Sequence, residues 1–94
     1  MPIRHDKKFD TLFETILGLQ TLEECYSFFD DLCTFGEITD MRDRLEVATL
    51  LISGATYEQI ELQTHMSSAT ISRINRCLQH GEGGYRNAIL KAKK

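Results

Sequence analysis

The sequence predicts an all-α protein of six short helices that carries a helix-turn-helix, and three observations point there. Apolar residues recur at helical spacing, with no strand-like alternation. Helix starts are marked by Thr-x-x-Glu or Thr-x-x-Gln and helix ends by glycine. The only proline is Pro2, so nothing interrupts the helices that follow. A chain of 94 residues makes one domain with a small core.

The first helix is expected from about Asp6 to Leu17, with Phe9, Leu12, Phe13, Ile16 and Leu17 on one stripe and Gly18 at its end. The second starts at Thr21, where Glu24 completes a capping box. Leu22, Cys25, Tyr26, Phe28, Phe29, Leu32 and Cys33 make its stripe too wide for one neighbour. Thr34 with Glu37 opens the third, which runs to about Ser53 and is apolar nearly all round through Ile38, Met41, Leu45, Val47, Ala48, Leu50, Leu51 and Ile52. Such a helix is expected to be buried on most sides. Gly54 suits the left-handed position that closes a helix. Thr56 with Gln59 starts a short fourth helix ending near Thr64. A turn at His65 and Met66 leads to a fifth, from Ser67 or Ser68 to Gln79. Gly81, Gly83 and Gly84 break the chain before a last short helix, Tyr85 to Ala92. Six helices with two wide stripes leave surplus apolar surface. A dimer that shares its core resolves this, the alternative being a monomer that satisfies both stripes internally.

The segment ATYEQIELQTHMSSATISRINRCL (55–78) carries the functional signal. Two helices joined by a tight turn need apolar residues at fixed offsets, and Ile60, Met66, Ile71 and Ile74 occupy them. Thr64 sits where a fully apolar residue is more usual, and His65 where glycine usually takes positive φ. On the fifth helix Ile71, Ile74 and Leu78 share one face, leaving Ala69, Ser72, Arg73 and Arg76 on the other. Small and hydroxyl side chains at Ser67, Ser68, Ala69, Thr70 and Ser72 allow close approach to base edges in a major groove. Arg73 and Arg76 can reach guanine or phosphate. The helix N-terminus suits a phosphate, and Thr56 and Gln59 at the start of the fourth helix are expected to hold the backbone in the same way.

The charge map fits a DNA face better than the net charge of −3 does. Residues 1–46 hold eleven acidic and five basic side chains, net −6, and residues 47–94 hold three and six, net +3. A DNA-binding face needs local positive charge rather than a basic whole. Lys91, Lys93 and Lys94 add non-specific affinity if they reach the duplex. The competing expectation is a protein-interaction module that keeps the fold without binding DNA, which the acidic first half favours.

Taken together, these stretches resemble the Trp repressor family, in particular its YerC/YecD-like branch. The match lies in the third helix capped by Thr34, in RDRLEVATLLISG (42–54), in 55–78 and in GEGGYRNAIL (81–90), and covers roughly residues 20–90. The resemblance implies a six-helix Trp-repressor-like fold in an intertwined homodimer: 1–54 supply the dimerisation helices, 55–80 the helix-turn-helix, and 81–94 a short C-terminal helix and tail. It also implies palindromic double-stranded DNA with half-sites about one helical turn, roughly 34 Å, apart. The family's best-known member is switched by L-tryptophan held between two arginines, and Arg44 and Arg73 match these, with Thr34 and Thr70 flanking. Ile74 stands where that pocket has glycine, and Cys77 where a serine holds the ligand's amino group. The Ile74 side chain is expected to fill the indole space, which argues against tryptophan and leaves a different small-molecule corepressor or none. Arg44 alternatively pairs with Asp40 or Asp43 on the helix surface.

No cofactor, metal or catalysis is expected. Cys25, Cys33 and Cys77 are an odd number without zinc spacing and read as reduced thiols. The adjacent carboxylates Glu23/Glu24 and Asp30/Asp31 diverge on a helix. No apolar run reaches membrane-spanning length, and the N-terminus lacks a signal-peptide core, so a cytoplasmic protein with no membrane partner is expected.

Overall fold

The computed structural model describes residues 3–92. Among them six helices follow one another with no strand: α1 (Lys7–Leu17), α2 (Leu22–Leu32), α3 (Phe35–Ile52), α4 (Tyr57–Thr64), α5 (Ser68–His80) and α6 (Gly84–Ala92). The chain divides into two compact units, Met1–Thr39 and Asp40–Lys94, with the boundary inside α3.

In the first unit, local hydrogen bonds define the helices. Asp6 Oδ1 accepts the Phe9 N–H at 2.7 Å and so caps α1. Thr21 Oγ1 accepts the Glu24 N–H at 3.1 Å, but the Glu24 carboxylate reaches one residue further back than a capping box requires and takes the Gln20 N–H at 2.7 Å. Phe9 and Phe13 stack one turn apart with ring centroids 6.1 Å from each other. Neither α1 nor α2 buries a single side chain. Leu17 is 82% exposed, Leu22 77% and Tyr26 73%, while Leu12, Ile16, Phe28 and Phe29 are half-buried, so the apolar stripes are left partly open.

The second unit has a closed core. Val47 and Ala48 of α3, Ile60 of α4, Ile71 and Ile74 of α5 and Ile89 of α6 are buried together, with Leu50, Leu51, Met66 and Tyr85 among the side chains packed around them. The expectation that α3 is buried on most sides is met only near its C-terminal end. Val47 and Ala48 are its buried residues, whereas Met41 and Leu45 on its earlier turns stay 44% and 48% exposed. An apolar helix is buried only where other elements reach it, and here these are the ones that follow it in the chain.

α3 ends in a Schellman arrangement. The Gly54 N–H donates to the Leu51 carbonyl and the Ala55 N–H to the Leu50 carbonyl, at 3.1 and 3.0 Å. Gly54 has φ +94°, which explains glycine there. At the end of α5, a Cβ on Gly81 would lie 2.5 Å from the Cys77 carbonyl oxygen, so only glycine lets the chain leave the helix along this path.

Candidate nucleic-acid interface

α4 and α5 pack on each other through Ile60 and Ile71, both fully buried. α4 opens with a complete capping box: Thr56 Oγ1 accepts the Gln59 N–H at 3.2 Å, and Gln59 Oε1 accepts the Thr56 N–H at 2.8 Å. His65 closes the helix at φ 60°, ψ 18°, its N–H donating to the Glu61 carbonyl at 2.9 Å. The left-handed position expected of this histidine is therefore occupied by it. Thr64 serves the turn through its hydroxyl, which donates to the Ile60 carbonyl at 2.7 Å and accepts the Met66 N–H at 3.2 Å. A polar side chain at an inward position is tolerable because it satisfies the backbone there.

The turn delivers the chain to Ser67, the N-cap of α5. Its Oγ accepts the Thr70 N–H at 3.2 Å and lies 3.0 Å from Thr70 Oγ1. Behind the cap, Ile71 and Ile74 fix one side of α5 in the core. On the other, Ser68, Ala69, Arg73 and Arg76 are exposed and Ser72 half-buried. Among the described residues the one ion pair is Arg42–Asp43 at 2.9 Å, so the guanidiniums of Arg73 and Arg76 are not neutralised by a carboxylate.

The nominated interface residues thus fall into two groups. Thr56, Gln59 and Ser67 use side-chain oxygens to cap helices, and Thr70 Oγ1 bonds to the Ser67 cap, which positions the head. Ser68, Ala69, Ser72, Arg73 and Arg76 make none of the side-chain hydrogen bonds seen among the described residues and form a contiguous outer face. Lys91 is exposed on α6; Lys93 and Lys94 lie outside the described residues.

The nominated effector residues behave differently from one another. Thr34 caps α3 in a reciprocal box with Glu37, whose carboxylate accepts the Thr34 N–H at 2.8 Å and whose own N–H donates to Thr34 Oγ1 at 3.1 Å. The Thr34 backbone N–H, and after it the Thr34 side chain, hold the Glu37 carboxyl below the usual carboxylate range. Arg44 Nε donates to the Asp40 carbonyl at 3.3 Å, while Asp43, its alternative surface partner, pairs with Arg42. Ile74 is 3% exposed, its side chain spent in the core, and Cys77 is exposed on α5. A groove of about 420 Å³ in the second unit, lined by Leu45, Thr49, Ala88, Ile89 and Ala92, includes none of these residues.

The net charge of +3 over residues 47–94 conceals one feature of the head. Glu58 and Glu61 are exposed on α4, and no lysine or arginine occurs between Arg44 and Arg73. Taken helix by helix, α4 is acidic and α5 basic.

Comparison with known proteins places this geometry in a family. The sequence profile of the family described as Trp repressor protein matches residues 7–93. The uncharacterized protein YerC of Bacillus subtilis (strain 168) is 52% identical over 88 residues, covering 94% of this chain and 85% of its own. The crystal structure of a candidate Trp repressor from Staphylococcus aureus superposes with a TM-score of 0.89 at 44% identity, covering 95% of this chain and 89% of that one. A TrpR-like protein from Eubacterium eligens does so with a TM-score of 0.89 at 41% identity, over 94% and 91% of the two chains.

Proposed function

The chain belongs to the Trp repressor protein family, and on that premise we propose that it is a sequence-specific DNA-binding transcription regulator, a repressor that reads a palindromic site as a homodimer. The observation that carries this reading is the outer face of α5. Ser68, Ala69, Ser72, Arg73 and Arg76 line one side of a helix whose other side is locked by Ile71 and Ile74. Small groups at the N-terminal end admit base edges, and the arginines beyond them supply bidentate or phosphate contacts.

The homodimer is supported by the open stripes of α1 and α2. A second copy is the partner that supplies equal and complementary apolar surface, and it would present two α5 helices to successive major-groove faces. The protein-interaction reading has the acidic first half in its favour but gives no role to the uncompensated arginines.

Reading requires no tryptophan. Ile74, buried in the core, stands where the family resemblance gives a ligand ring its room, which supports an α5 held by the core itself. Any corepressor would be a different small molecule.

Titration of the folded protein against a random-sequence duplex at low salt tests the reading. Binding that weakens steeply as salt rises, and a shallower salt dependence in Arg76→Ala, is expected. Binding no stronger than to a neutral polymer would favour the interaction module. Adding an amino-acid pool is expected to leave the affinity unchanged.

A further inference from the structure

The first helix of a helix-turn-helix crosses the phosphate backbone while the second enters the groove. α4 occupies that first position, yet its exposed side chains offer no cation: Glu58, Gln59, Glu61, Leu62 and Gln63 are all exposed, and Ile60 alone is buried. At about 100° per residue, Glu58 lies opposite Ile60 and Glu61 a quarter-turn from it, so both carboxylates project away from the core. Glu58 stands in the first turn, beside the Thr56 cap. Neither has an ion-pair partner among the described residues. The nearest cations along the chain are Arg44 on one side and Arg73 on the other.

We propose that Glu58 and Glu61 act as an electrostatic brake on DNA binding, repelling the phosphates that α4 crosses so that attraction to the backbone comes from α5 and beyond. The inference rests on the DNA-binding reading above and deepens it, replacing the expected phosphate clamp at the start of α4 with a repulsive contact. Two unit charges about 7 Å apart in water alter a binding constant about threefold. One such carboxylate in each subunit of a homodimer therefore lowers affinity about tenfold. Because salt screens repulsion as well as attraction, the brake also flattens the salt dependence of binding. A duplex held mainly through α5 is held mainly by the helix that reads bases, since phosphate contacts position without specifying sequence.

The test compares wild type, Glu58→Gln, Glu61→Gln and the double variant in fluorescence anisotropy titrations of a random-sequence duplex between 50 and 200 mM salt. Circular dichroism verifies that each is folded. A control variant, Glu14→Gln with Glu23→Gln, makes the same charge change as the double variant, but on α1 and α2. Expected is about a tenfold gain in affinity for each α4 substitution at low salt, shrinking as salt rises, with less than a twofold gain in the control. Equal gains in the control would overturn the proposal in favour of an effect of net charge. Unchanged affinity in the α4 variants of a wild type that does bind would overturn it too, leaving Glu58 and Glu61 as a helix-dipole complement and a solvated charge. If wild type and every variant, all folded, bind no duplex at low salt, the DNA-binding reading falls and the brake with it.

Discussion

The two units of this chain handle apolar surface in opposite ways. In the second, Val47, Ala48, Ile60, Ile71, Ile74 and Ile89 disappear from solvent among residues of the same chain. In the first, α1 and α2 carry strong apolar stripes yet bury no side chain. The same hydrophobic effect acts on both, so the difference lies in what each stripe has to meet. The second unit carries inward partners on α3, α4, α5 and α6 and closes on itself. The amphipathic helices before it carry a face whose counterpart is not supplied within their own unit, which is why the proposed homodimer assigns the first unit to assembly and the second to reading.

The sharpest way to break this contrast is to attack both kinds of apolar residue. Ile71→Ala removes a fully buried side chain and is expected to cost about 2–5 kcal/mol in chemical denaturation, a large part of what a domain this size possesses. Phe13 is 44% exposed within the single chain, where a surface substitution usually costs little. In a homodimer Phe13→Asp should instead weaken self-association at least about 100-fold, about 2.7 kcal/mol, by analytical ultracentrifugation. An unchanged association constant would remove Phe13 from the assembly face. On the reading side, Arg73→Ala is expected to lose about 1–3 kcal/mol of DNA affinity with relaxed specificity if its guanidinium meets a base; a uniform loss across sequences would reassign it to phosphate. Thr56→Ala removes one arm of the α4 capping box and should cost about 1 kcal/mol, visible as faster hydrogen exchange in the first turn of α4.

The smallest effect expected is pH-dependent. The Glu37 carboxyl is lowered in the folded state by the Thr34 N–H and then by the Thr34 side chain. A lowered carboxyl contributes stability above its unfolded-state value and loses it as pH falls through the folded value. NMR titration should therefore show Glu37 releasing its proton below the usual carboxylate range. In Thr34→Ala the midpoint should rise part of the way back, because the backbone donor remains.

What was legible beforehand is what local chemistry decides. Thr34, Thr56 and Ser67 cap helices over three-residue reach, and Gly54 takes the positive φ that closes α3, so sequence spacing is enough to find them. Ile60, Ile71 and Ile74 were legible because the two helices of the head are neighbours in sequence as well as in space. The misses needed geometry. Glu24 reaches Gln20 instead of Thr21, since a flexible carboxylate can serve either of two adjacent N–H groups. Asp43 chooses Arg42 over Arg44, since adjacent residues can pair when both side chains lie along the surface. The exposure of Met41 and Leu45 could not be read from a helix apolar all round, because burial depends on which elements return to cover it. In the candidate site, the outer face of α5 followed from periodicity. The carboxylates of α4 stayed hidden because a charge count over half the chain averages Glu58 and Glu61 with arginines on another helix.

Whether two copies of this head read one duplex is measured by selection from a random duplex library at moderate salt, using protein shown to be folded and dimeric. The expected result is an enriched palindrome whose half-sites lie about one helical turn apart, found equally with and without added amino acids. No enrichment at any salt concentration would contradict it and turn attention to protein partners of the acidic first unit.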